Sequence, residues 1–140
     1  NLGTGMHSLL AARRRFGNQY RNYIFLTVGE VDAESYRGEE MLAELTRTVE
    51  QDLALYLNYC HHRGIAATSY HAFGADPIEQ IDLLAEQVIR RFPKCVFFAT
   101  TLLFNPDNLL TRLLHNQTAL DVQRRLHLRG VTLVVLPMQV

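Results

Sequence analysis

The sequence predicts an α/β chain: a small, mostly parallel sheet of about four strands, helices on both faces in three layers, and an extra helix in front. Three observations predict it. Short apolar runs alternate with long segments whose apolar residues recur every three or four positions, and such alternation implies parallel strands joined by right-handed crossovers. The first and third strand runs are apolar almost throughout, as suits strands covered on both faces. The length of 140 residues is one domain's worth of chain, able to bury about two thirds of its unfolded surface without a disulfide or metal.

Residues 1–5 read as a linker or cloning remnant, and residues 6–140 as a single domain with no internal linker. The leading helix is expected over Met6–Phe16. The first strand is Tyr23–Val28, closed by Gly29 and the polar stretch to Gly38. From Glu39 to Arg63, Leu42, Leu45, Val49, Leu53, Tyr56 and Cys60 draw one helical stripe, and Gly64 caps it because glycine enters the left-handed conformation freely. The second strand is Ala66–Phe73. Asp76 then Pro77 reads as an N-cap followed by proline at the first helical position. Ile78, Ile81, Ala85, Val88, Ile89 and Phe92 form the next stripe, which Pro93 stops.

The third strand is Cys95–Ala99. After the break at Asn105-Pro106-Asp107, a short helix is expected over Leu109–Leu114 and a second from Asn116 to Gly130. The last strand is Val131–Leu136, with Pro137 behind it at a sheet edge.

In an open parallel sheet, ligands bind beyond the carboxyl ends of the strands. Those positions are Gly29–Asp32, Gly74–Asp76, Thr100–Leu102 and the turn His115–Thr118. Asp32 is a candidate for a ribose hydroxyl or a metal, with a turn or helix cap as the alternative; for Asp76 the cap is favoured. His115, Asn116, Gln117 and Thr118 form a polar cluster at an expected helix N-terminus, where unsatisfied N–H groups and the dipole favour anions. A capped helix with a solvated histidine, or an interface, are the other readings. Together with Thr100 and Thr101 these residues make up the candidate ligand site.

Several function classes lose support. The 14 basic and 14 acidic residues cancel, whereas a nucleic-acid binder usually carries a basic excess. Cys60 and Cys95 lie in no CxxC and read as reduced thiols acting as small hydrophobes. His61, His62 and His71 lack the i, i+4 spacing of a helical metal pair. The motifs G-x-S-x-G, G-x-x-x-x-G-K-[ST] and G-x-G-x-x-G do not occur. No catalytic residues, metal or cofactor are therefore expected; a hydrolase using Asp32 and His115 is the minor alternative. No apolar run reaches the ~20 residues that span a bilayer. Arg13, Arg14 and Arg15 are either one solvated helix face or a juxtamembrane segment drawn to anionic lipid. Asn1 and Val140 read as cut ends of a longer chain.

Two resemblances enter at these residues. Gly74-Ala75-Asp76-Pro77-Ile78 with its helix, then Val96-Phe97-Phe98-Ala99, then a loop, a helix and Val131–Pro137, resemble the second half of the Rossmann-like universal stress protein fold. That resemblance implies a nucleotide loop at residues 100–118, which is not glycine-rich here. The closer resemblance is to the soluble C-terminal domain of bacterial amino acid–polyamine–organocation permeases. Tyr23–Asp32, Phe97-Phe98-Ala99, Leu113–Ala119, Gln123-Arg124-Arg125-Leu126 and Val134-Val135-Leu136-Pro137 carry it. It implies a non-catalytic regulatory or assembly domain on the cytoplasmic face of the inner (cell) membrane, continuous with the transmembrane part of an amino acid transporter. The alternative is a nucleotide or anion sensor of universal-stress-protein type. A homodimer through the last strand is a further expectation, since a sheet edge invites pairing.

Overall fold

The computed structural model describes residues 2–31, 39–103 and 120–139. They form an α/β chain in the order α1 (Leu2–Phe16), β1 (Asn22–Glu30), α2 (Glu39–His62), β2 (Ala66–Gly74), α3 (Pro77–Arg91), β3 (Phe97–Leu103), α4 (residues 120–128) and β4 (Leu133–Gln139). The chain divides into two compact units, residues 18–85 and residues 1–17 with 86–140.

In the first unit β1 and β2 run parallel, from Asn22 opposite Ala66 to Glu30 opposite Gly74. The crossover helix α2 packs on both strands. Of its predicted stripe, Leu53, Tyr56 and Cys60 are buried, while Leu42, Leu45 and Val49 stay half-buried. Tyr56 stacks on Phe25 of β1, centroids 5.1 Å apart and planes 14° apart. That contact seats the C-terminal half of the helix on the sheet.

In the second unit β3 and β4 run parallel, from Phe97 opposite Leu133 to Leu103 opposite Gln139. The leading helix α1 covers this pair. It buries Leu9 and Ala12 and sets Phe16 at 5.3 Å and 56° from Phe98.

Helices α2 and α4 end alike. Gly64 N–H donates to the His61 carbonyl (3.0 Å) and Ile65 N–H to that of Cys60 (2.9 Å); Gly130 N–H donates to His127 (2.9 Å) and Val131 N–H to Leu126 (3.0 Å). This double closure needs a left-handed residue, and the φ of Gly64 is 66° and that of Gly130 is 73°. Cys60 and Leu126, the acceptors two residues before the end of each helix, are also the two largest fully buried side chains among the described residues. Behind the shared geometry lies a short repeat, His-x-Arg-Gly followed by Ile or Val, at His61–Ile65 and His127–Val131.

Three expectations need correction. The described strands make two parallel pairs, not one sheet of about four strands. Strand–helix alternation favours parallel pairing, as in β1–β2 and β3–β4, but it does not say which neighbours share a sheet, and β2 and β3 on either side of α3 are not paired among the described residues. β3 starts at Phe97 and runs to Leu103, so Thr100 and Thr101 lie inside it, opposite Leu136 and Pro137, rather than in a loop beyond it. Ladder bonds are indifferent to side-chain polarity, and β-branched threonine suits a strand.

β4 likewise runs through Pro137 instead of ending before it. The Phe97 N–H donates to the Thr132 carbonyl (3.0 Å), which sets the phase of the ladder. Thr132, Val134, Leu136 and Met138 turn their backbone groups to β3, whereas Leu133, Val135, Pro137 and Gln139 turn theirs away. The donor that proline lacks would thus face outwards and costs this pair nothing. The short helix expected over Leu109–Leu114, and the start of α4 near Asn116, fall outside the described residues.

Leu126→Ala is expected to lower the unfolding free energy by about 2–5 kcal/mol, and Gly64→Ala or Gly130→Ala by about 1–2 kcal/mol each. Leu128→Ala, at a residue 82% exposed, should stay within about 0.5 kcal/mol. Urea denaturation of the four variants checks all three values.

Candidate functional site

Of the predicted ligand residues, Asp32, His115, Asn116, Gln117 and Thr118 fall outside the described residues. Thr100 and Thr101 are placed on β3. The carboxyl ends of β1 and β2 are described as far as Val31 and through Asp76, and there the residues can be followed one by one.

Asp76 is a cap. Its Oδ1 accepts the N–H of Ile78 (2.9 Å) and of Glu79 (3.2 Å), two of the orphan donors at the start of α3. Pro77, just behind it, has no N–H to satisfy. With its oxygen committed to the helix end, the carboxylate serves structure.

Gly29 marks the close of β1, and the reason is steric. A Cβ built there would collide with Cδ1 of Phe73 and stand 2.6 Å from Cε1. Gly29 lies opposite Phe73 in the register, so the Phe73 ring lies over the bare backbone. At strand ends that hold phosphates, a glycine lets a ligand approach the main chain. Here the space beside the glycine is filled by the protein's own ring.

Next to that ring is His71. The two rings meet edge to face at 5.6 Å and 61°. Nε2 of His71 lies 4.0 Å from Oε1 of Glu50 on α2, and the Glu50 side chain is 60% exposed. The separation is beyond hydrogen-bond reach, and at that exposure water screens the pair when the imidazole is protonated. Glu50, His71, Phe73 and Gly29 therefore form a half-open polar–aromatic corner where α2 meets β2. Sequence reasoning missed it, because Glu50 and His71 become neighbours only through the packing of α2 on β2 and no local spacing announces this.

In the other unit, Cys95 is half-buried ahead of β3. Burial pushes its thiol up from the usual range, with a backbone hydrogen bond pulling weakly the other way. The neutral thiol is a poor nucleophile and a poor metal ligand. Among the described residues no group of three or more His, Cys, Asp or Glu is placed to hold a metal ion. No described helix is long and apolar enough to cross a membrane.

A run of unbalanced positive charge stands on α1. Arg13, Arg14 and Arg15 occupy its last turn, where cations complement the helix dipole. Arg13 is half-buried, and its carbonyl accepts the Gly17 N–H (2.8 Å). Arg14 and Arg15 are exposed, as is Arg21 just before β1. Across residues 1–31, Glu30 is the one acid against these four arginines.

Comparison of the chain with protein-family models, with curated proteins and with solved structures returned no match.

Gly29→Ala is expected to cost about 1–3 kcal/mol by forcing the Phe73 ring aside. Pairing it with Phe73→Ala should cost less than the sum of the two single changes. Asp76→Ala should cost about 0.5–2 kcal/mol. Thermal and urea unfolding of the single and double variants measure these differences.

Proposed function

We propose that this chain is a non-catalytic regulatory or assembly domain at the cytoplasmic face of the cell membrane, part of an amino acid transporter. The observation that carries the reading is the arginine-rich end of α1. Its two outermost arginines are exposed in the last turn, and Arg21 is exposed a few residues on. Two exposed guanidinium groups at the end of a helix that carries no acid make a cationic end of the kind that anionic headgroups attract. The β–α–β organisation with parallel pairing agrees in kind with the α/β domain implied by the resemblance to permease C-terminal domains.

The same helix supplies a route for regulation. Its apolar side buries Leu9 and Ala12 and sets Phe16 against Phe98, so it is anchored on β3 and β4. A displacement of the arginine end at a membrane surface would be felt at that sheet pair through Phe16. The remaining partner in this reading is the transmembrane part of the same polypeptide.

A nucleotide or anion sensor is the competing reading. Its weak point at the described rim is Gly29, whose open side is occupied by the Phe73 ring.

Co-sedimentation with vesicles distinguishes the two. Binding to vesicles containing phosphatidylserine or phosphatidylglycerol should exceed binding to pure phosphatidylcholine and weaken with salt. At about 1 kcal/mol per basic residue, Arg13→Gln/Arg14→Gln/Arg15→Gln should lower the affinity roughly a hundredfold. Equal binding to neutral and anionic vesicles would remove the lipid-facing role. A thermal shift of the chain with a nucleotide or inorganic phosphate, absent with the other anions of a panel, would favour the sensor.

A further inference from the structure

We infer that the outer edge of β4 is closed to any further strand, and that its own crossover helix closes it: Gln123 of α4 occupies the first outward carbonyl, and Pro137 withholds an outward donor. The inference rests on the phase of the strand ladders and is independent of the transporter reading.

The phase fixes which groups a newcomer would meet. On β4 the outward residues are Leu133, Val135, Pro137 and Gln139, because Thr132 accepts from Phe97. An added strand needs donors and acceptors in alternation along that row. Nε2 of Gln123, in a part-buried position, donates to the Leu133 carbonyl at 3.0 Å. The next outward residue but one is Pro137, which has no N–H. Val135 alone stands between these two interruptions, and one residue is too short a run to hold a strand.

The same device recurs in the other unit. Val31 N–H donates to the Gly74 carbonyl (3.0 Å), so Ala67, Ser69, His71 and Phe73 face away from β1. Nε2 of His61 on α2 lies 3.2 Å from the Ala67 carbonyl. A carbonyl only accepts, so the hydrogen bond forms in the tautomer that carries the proton on this nitrogen. Ala67 and Leu133 each stand three residues after the glycine that closes the preceding helix, Gly64 or Gly130. Equivalent positions in two crossovers thus have the outward carbonyl covered by a side chain of the crossover helix. The covering makes β4 a poor surface for the homodimer that its apolar sequence suggests, and directs any self-association elsewhere.

Two measurements test this. In the wild-type chain, NMR-detected hydrogen exchange should find the amides of Leu133 and Val135 exchanging about tenfold or more faster than those of Val134 and Leu136. Equal protection of both sets would show the outer edge already paired and would overturn the inference. Gln123→Ala/Pro137→Val restores one acceptor and one donor to that edge. Sedimentation velocity over a concentration series should show the folded double variant self-associating about tenfold or more tightly than the wild type. A folded variant that associates no more than the wild type also overturns it. Should the variant fail to fold, the wild-type exchange pattern decides. A wild-type dimer whose Leu133 and Val135 amides still exchange fast supports closure, since its interface must then lie off this edge.

Discussion

The glycine-closed end of each crossover helix is the constraint from which the rest of the described structure follows. At Gly64 and again at Gly130 the chain takes a positive φ, donates back into the last turn and leaves as a parallel strand. A side chain two residues before the end of the helix is thereby driven fully inside, Cys60 in one unit and Leu126 in the other. After the glycine, Ile65 is buried and Val131 half-buried. The turn thus decides the direction of the strand, the phase of its ladder and which carbonyl the helix can cover. Without a residue free to adopt that conformation, helix and strand could each form locally but not in this relation.

Most elements were legible because their signals are local. The stripe from Leu42 to Cys60, the Asp76–Pro77 helix start and the Gly64 cap depend on residues within a few positions of one another, and each is found where the sequence places it. The strand limits were harder. Hydrophobicity fades at Thr100 and Pro137, so the apolar pattern ends both strands early, while the hydrogen-bonded ladder continues through both residues. The count of strands in one sheet was illegible for a different reason: it depends on long-range edges that leave no local trace. The repeat of His-x-Arg-Gly is present in the letters but is too short to carry meaning without the shared closure of the two helix ends.

The candidate site divides along the same line. Asp76 could be assigned to a cap from its neighbours, and it is one. Gly29 gives a topological signal for a ligand rim, yet it is explained by Phe73, a residue 44 positions away that comes opposite it only through the β1–β2 register. A glycine after a strand marks close approach; what approaches is decided by tertiary structure. The corner of Glu50, His71 and Phe73 was invisible in sequence for the same reason, whereas the basic end of α1 was plain because consecutive arginines need no folding to be neighbours.

The Cys60 thiol has no accessible surface and sits where α2 turns into β2. Oxidants and electrophiles in the surrounding medium reach it only when that turn comes apart. The sulfur is in effect a sealed witness: its modification in a living cell would record how often this helix end opens, on a timescale set by unfolding rather than by thiol chemistry.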